Sequence, residues 1–209
     1  AAVLRHLHVI EIDRELIAHL QRAYPPDRLS AHAGDVLEFR FSTLPRELRV
    51  VGNLPYNIST PLLFHLGHYA EQIRDLHFML QKEVVERMVA PPGGGDYGRL
   101  SVMLQYRFDM QLLFEVAPAA FSPPPQVDSA VVRMLPRPQT RLMAASQTGL
   151  EQVVRRAFGQ RRKTLRNSLA GLLEAEDCAA LGIAPGLRAE NLTVADFVAI
   201  SNFLARKEK

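Results

Sequence analysis

A single cysteine, Cys178, excludes any internal disulfide and fits a reducing compartment, so a cytoplasmic protein is expected. No apolar run approaches the length of a membrane span, and no signal-peptide pattern opens the chain. The seven histidines include no HExxH and no Cys/His cluster, which argues against a zinc site. His65 and His68 share a helical spacing but read as surface histidines of an amphipathic helix, so no metal is expected. Internal repeats are missing too. Acidic residues thin out toward the end: residues 1–136 carry 13 Lys and Arg against 15 Asp and Glu, residues 137–209 carry 12 against 7. That imbalance points to a polyanion partner for the C-terminal part.

What is present supports a sizeable core. With 209 residues, 47% hydrophobic and 22% charged, the chain suits one large domain or a domain with a small appendage. His6–Ile12 alternates as a strand, and Asp13 should cap a helix to about Arg22. Leu29–Ala33 and Leu48–Gly52 read as further strands. Ser59 or Thr60 is expected to cap a helix with Pro61 in its first turn. Asp75–Leu80 reads as a strand and Lys82–Val89 as a helix. After the loop at residues 91–96, Arg99–Arg107 is predicted helical and Met110–Val116 and Ala130–Leu135 as strands. The Pro-rich stretch Phe121–Pro125 between them should be stiff and extended. Alternating strands and helices followed by a strand pair predict an α/β sheet, mostly parallel with an antiparallel edge hairpin. Residues 136–148 read as a boundary. Beyond it the pattern is helical only, including Leu165/Leu169/Leu172. The predicted domains are therefore 1–138 and a small all-helical 139–209.

Four places carry chemistry. Asn53-Leu54-Pro55-Tyr56 follows a β-branched strand, and ligands gather at C-terminal strand ends in α/β sheets. Asn53 offers an amide acceptor. Pro55 keeps Leu54 extended and its carbonyl in place. Tyr56 offers a face for a planar ring, so together they could clamp an exocyclic amino group. A proline turn with a core tyrosine is the plainer alternative. Glu11 could accept from ribose hydroxyls, or simply charge a helix-capping turn. Asp35, with the Val36 amide, could take an adenine amino group, or form an Asx-turn. Glu11, Asp35 and Asn53 each end a strand, so all three would line one crevice. Arg155, Arg156, Arg161, Arg162, Lys163 and Arg166 form the densest basic cluster. Residues 155, 162 and 166 recur at helical spacing and could share a face for phosphates. Glu151 is the one acidic residue near enough in sequence to pair with them, and a solvated helix face is the alternative.

The blocks NLPYNIST (53–60), LQKEVVERMVA (80–90), YGRLSV (97–102), AFSPPPQVDSAVVR (120–133) and FGQRRKTLRNSL (158–169) together resemble the bacterial small-subunit ribosomal RNA adenine dimethyltransferases. NLPY is shared with erythromycin-resistance methyltransferases, whereas QRRKTLRNSL looks more like the small-subunit enzymes. The resemblance covers nearly the whole chain and implies a Rossmann-like class I methyltransferase sheet with a helical RNA-binding domain. It implies a monomer that uses S-adenosylmethionine, without a metal, to dimethylate N6 of two adjacent adenosines of 16S rRNA in the small ribosomal subunit. It further implies that Glu11, Ile12, Asp35, Val36 and Asn53 bind the cofactor. Asn53 and Leu54 would hold the target amine, and Tyr56 and Phe121 would stack the base. Arg155, Arg161, Arg162, Lys163 and Arg166 would grip RNA.

The glycine-rich loop of that family precedes the strand ending in Glu11, on a central strand between those ending in Glu11 and Asn53. Nothing before Ala1 is present in the sequence, so a preceding segment is expected in the molecule. Two rivals remain at this point: an adenine amino-methyltransferase acting on another nucleic acid such as DNA, and a non-catalytic small-subunit assembly factor on the same fold.

Overall fold

Strand β1 (Leu7–Glu11) enters helix α1 (Arg14–Ala23) through Asp13, whose carboxylate accepts from the amides of Glu15 and Leu16 as the sequence predicts. Strand β2 (Leu29–Ala33) pairs with β1 in parallel, Leu7 opposite Leu29 and Glu11 opposite Ala33. Ile17 and Leu29 are buried here. The computed structural model describes residues 4–160 and 162–207. The chain divides into two compact units, one ending at Pro45 and the other beginning at Arg46.

One face of the first unit holds three histidines that sequence reading left scattered. His6 Nδ1 lies 2.9 Å from the Asp27 carbonyl and Nε2 2.9 Å from Ser30 Oγ. His8 Nδ1 lies 3.1 Å from His32 Nε2. The strand period of two places His6 and His8 on the same side, and pairing brings Ser30 and His32 alongside. Burial, then the charges of His6 and His32, push the His8 imidazole below its ordinary value of 6.5.

The second unit runs β3 (Leu48–Asn53), α2 (Ser59–Gly67), β4 (Ile73–Gln81), α3 (Lys82–Val89), α4 (Arg99–Arg107), β5 (Phe108–Val116) and β6 (Ser129–Pro136). Helices α5 (Gln147–Phe158), α6 (Leu165–Ser168), α7 (Ala175–Ala180) and α8 (Val194–Lys207) follow. The sheet order is β3-β4-β6-β5. β3 and β4 are parallel, and β6 is antiparallel to both β4 and β5. The expected hairpin is present, but its second strand lies inside the sheet and its first lies at the edge. Leu76, Phe78 and Leu80 of β4 and Ala130, Val132 and Met134 of β6 are 0–1% exposed. They form the buried face of the sheet, and α3 packs against β4, β5 and β6. The opposite phase puts Asn53, Met79, Val131 and Phe114 in one row across the four strands.

The C-terminal helices share their core with α4. Tyr97, Val102, Met103 and Tyr106 pack with Leu150, Val153, Leu165, Phe197 and Ile200 in one cluster. Residues 136–148 lead from β6 into α5, where Ser146 caps the helix by accepting from the Gly149 amide.

Three local expectations need correction. Neither Ser59 nor Thr60 caps α2: Ile58 holds that position without a side-chain bond, and the Ser59 hydroxyl donates back to the Tyr56 carbonyl at 3.0 Å. The helix expected over 165–172 stops at Ser168, because Gly171 turns the chain at φ +77. Positions 155, 162 and 166 do not share a helix. Gly159 ends α5, and Thr164 precedes α6 in a bridge with Arg188.

Candidate active site

Asn53 is the last residue of β3, opposite Met79, and the ladder extends one step as the Leu54 amide donates to the Met79 carbonyl at 3.2 Å. Ile58 N–H closes a turn onto the Pro55 carbonyl. With Ser59 tied to Tyr56, this short loop is bonded at both ends. The Leu54 side chain is buried at 9% exposure, whereas Asn53 is exposed and Tyr56 is 43% exposed. A core tyrosine would be buried, so the plainer reading of this turn fails. Among the described residues, neither the Asn53 side-chain amide nor the Leu54 carbonyl has a hydrogen-bond partner. The strand end thus presents two free acceptors beside an exposed aromatic face.

Gly52 was missed by sequence reading, and its type alone gives no signal. A Cβ there would meet Leu54 Cδ2 at 2.9 Å and the Phe78 ring at 3.4 Å. The missing side chain is what makes room for the buried Leu54.

Phe121 lies half-buried in the loop between β5 and β6. That loop opens at the same end of the sheet as Asn53, because Asn53, Met79 and Val131 share a row and β6 begins only two residues before Val131. At the opposite end, Arg49 clasps Asp75 with Nε at 3.0 Å and Nη2 at 2.9 Å. The guanidinium holds the buried Asp75 carboxyl below the usual carboxylate range. This pair braces β3 against β4 near their N-terminal ends, away from the C-terminal end that carries Asn53.

In the first unit, both plain readings are realised, and both leave atoms over. Glu11 Oε1 accepts from the Ile12 amide at 2.8 Å and the Asp13 amide at 3.0 Å, which is the capping turn. Glu11 Oε2 has no partner among the described residues. Asp35 Oδ1 accepts from the Leu37 amide at 2.8 Å, an Asx-turn. The Val36 amide donates to nothing among the described residues. Gly34 sets this turn: its amide donates to the Glu11 carbonyl at 2.9 Å, and its φ of +153 is open to glycine and rare for other residues.

Arg155, Arg156, Arg162, Lys163 and Arg166 are all exposed; Arg161 lies outside the described residues. Glu151, the one acidic residue near enough in sequence to pair with them, is taken by Arg99 at 2.9 Å. Arg156 donates to the Ala170 carbonyl. Arg155, Arg162, Lys163 and Arg166 have no ion-pair partner among the described residues, so their charge faces outward uncompensated. Among the described residues no group of three potential ligands could hold a metal ion, and no helix is long and apolar enough to cross a membrane.

A family model described as ribosomal RNA adenine dimethylase matches residues 1–206. The chain is 63% identical over 204 residues to the ribosomal RNA small subunit methyltransferase A of Aromatoleum aromaticum, covering 98% of this chain and 77% of that protein. It is 60% identical over 204 residues to the protein of the same name from Thiobacillus denitrificans, covering 98% and 80%. The crystal structure of a dimethyladenosine transferase from Plasmodium falciparum is similar with a TM-score of 0.75 at 22% identity, covering 93% of this chain and 80% of that one. At that identity the likeness speaks for the fold alone, and it agrees with the expected Rossmann-like α/β class. The matched family and these relatives lead to one conclusion: the chain belongs to the ribosomal RNA adenine dimethylase family.

Proposed function

We propose that this chain transfers methyl groups from S-adenosylmethionine to N6 of two adjacent adenosines in 16S rRNA of the small ribosomal subunit. The product is N6,N6-dimethyladenosine, made in the cytoplasm during ribosome biogenesis by a single chain. The observation that carries this reading is the pair of acceptors without a partner among the described residues, Asn53 Oδ1 and the Leu54 carbonyl, at the end of β3, with the exposed Tyr56 ring two residues on from Leu54.

The N6 lone pair of adenine is delocalised into its ring and is a poor nucleophile. Two acceptors that take the two N6–H bonds draw the nitrogen toward a tetrahedral shape and turn its lone pair out of the ring plane. Tyr56 stacks one face of a base unstacked from its RNA loop, and Phe121 closes on the other. The residues therefore work by positioning. After transfer the cationic nitrogen is acidic and releases its proton to water; an amide and a peptide carbonyl need not act as bases.

S-adenosylmethionine supplies an electrophilic methyl group on a sulfonium. Glu11 Oε2 is free for ribose hydroxyls. Asp35 and the Val36 amide are suited to the adenine edge, Ile12 to its flank, and Asn53 to the cofactor side of the strand end. The uncompensated cations Arg155, Arg162, Lys163 and Arg166, with Arg161, would bind RNA phosphates. This divides the work between residues 1–138 for catalysis and 139–209 for RNA. Membership in an rRNA adenine dimethylase family disfavours the DNA-modifying and the non-catalytic readings.

The test is methyl transfer to small subunits that lack the modification, followed by nucleoside analysis. N6,N6-dimethyladenosine is the expected product. Asn53→Ala should lower turnover by roughly 100-fold, the scale of a missing transition-state hydrogen bond, with subunit binding retained. Near-normal single-turnover rates in that variant would remove the clamp.

A further inference from the structure

The loop that carries Phe121 has little bonding of its own. The Ala120 and Phe121 amides donate to the Ala117 and Pro118 carbonyls and make one short turn. From Ser122 to Val127 the backbone makes no hydrogen bond among the described residues. A stretch so poor in bonds takes its place from its two stems.

Both stems meet one residue. Val116, which ends β5, lies opposite Ser129, which begins β6, and Ser129 also lies opposite Gln81 at the end of β4. Lys82 follows Gln81. Its amide donates to the Asp128 carbonyl at 2.9 Å, so the ladder continues one residue past the strand into the outgoing stem. Its ammonium reaches Glu115 Oε2 at 2.9 Å on the incoming stem. Glu86, one turn along α3, lies 3.9 Å away and steadies the ammonium from behind.

We propose that Lys82 is a positioning residue: it staples both stems of the loop to the end of β4 and so sets where the Phe121 ring stands over the target adenine. The proposal rests on the base-stacking reading of Phe121. A bulky or charged side chain at the start of α3 would serve the helix equally well. A side chain bonded to the strand before the loop, on a residue whose backbone is bonded to the strand after it, serves the loop.

The test uses the full chain with small subunits lacking the modification. Lys82→Met keeps the stem length and the amide bond and removes the ammonium. Exchange of the bonded loop amides at Lys82, Ala120 and Phe121 should quicken about two- to five-fold, the scale of one partly exposed ion pair. Turnover should fall by about the same factor, with the KM for subunits unchanged. The exchanged pair Lys82→Glu with Glu115→Lys, made together with Glu86→Gln so that no carboxylate one turn along α3 faces position 82, should recover most of the loss. In a Phe121→Ala background, Lys82→Met should cost nothing further, whereas a merely structural role would lower both backgrounds alike. Unchanged loop exchange in Lys82→Met overturns the staple. Quickened exchange with equal losses in both backgrounds overturns the positioning role. Full activity of Phe121→Ala alone, with the exchange effect intact, refutes the stacking reading instead and leaves the staple standing as structure.

Discussion

The side chain that Gly52 lacks would crowd Leu54: a Cβ there would sit 2.9 Å from Leu54 Cδ2 and 3.4 Å from the Phe78 ring. Leu54 is buried and Phe78 is 1% exposed, so neither has open space to move into. Gly52→Ala should therefore cost about 1–3 kcal/mol of stability, as overpacking does. It should also slow methyl transfer, because the packing around Leu54 leaves its side chain little room to turn away, and part of the relief comes from the backbone that carries its carbonyl. A melting curve beside single-turnover rates checks both. Normal transfer in a destabilised variant would mean that the Leu54 carbonyl is not an acceptor for the substrate.

Tyr56 presents a ring whose hydroxyl has no partner among the described residues. Tyr56→Ala should lower transfer by about 1–3 kcal/mol of stacking, roughly 5- to 150-fold. Tyr56→Phe should stay close to wild type. Equal losses in the two variants, read from kcat/KM, would assign the function to the hydroxyl instead.

Among the described residues Arg162, Lys163 and Arg166 are exposed and have no ion-pair partner, so reversing their charge leaves the described ion pairs intact. Binding to the small subunit should weaken, and the slope of log affinity against log salt should become shallower by roughly one unit for each phosphate no longer neutralised. S-adenosylmethionine affinity and the melting temperature should hold. An unchanged salt slope with unchanged affinity would make this cluster a solvated face.

His8 gives the first unit a pH dependence. Its imidazole is held below 6.5 when folded, by burial first and then by His6 and His32. The unfolded chain therefore takes up the proton at a higher pH than the folded one. The neutral, folded form has its full advantage above pH 6.5 and loses it as the pH falls through the lower folded value. Protection of the β1 and β2 amides should drop as the pH falls below about 6.5. His8→Asn should flatten that drop, and an equally steep fall in the variant would place the sensitivity elsewhere.

Much of the site was legible from residue type and order. Asp13 capped as expected because an N-cap needs only a carboxylate and the next few amides. The Asx-turn at Asp35 is equally local. The 165–172 helix was misjudged because its apolar spacing persists through Gly171, where the backbone turns. By nearness in sequence, Glu151 was the one acidic residue that could have paired with the basic cluster. Arg99, 52 positions away, holds it, since α4 packs beside α5.

The sequence by itself determined the elements, the strand-end acceptors and the family, because these depend on period, capping and short motifs. Only the tertiary structure decided which residues face one another. It placed β6 between β4 and β5, buried α4 in the core of the C-terminal helices, gathered three histidines on one strand face, and set Lys82 against both stems of the Phe121 loop. Each of these joins residues far apart along the chain. Long-range pairing follows from how buried faces fit together, and no window of sequence contains both partners.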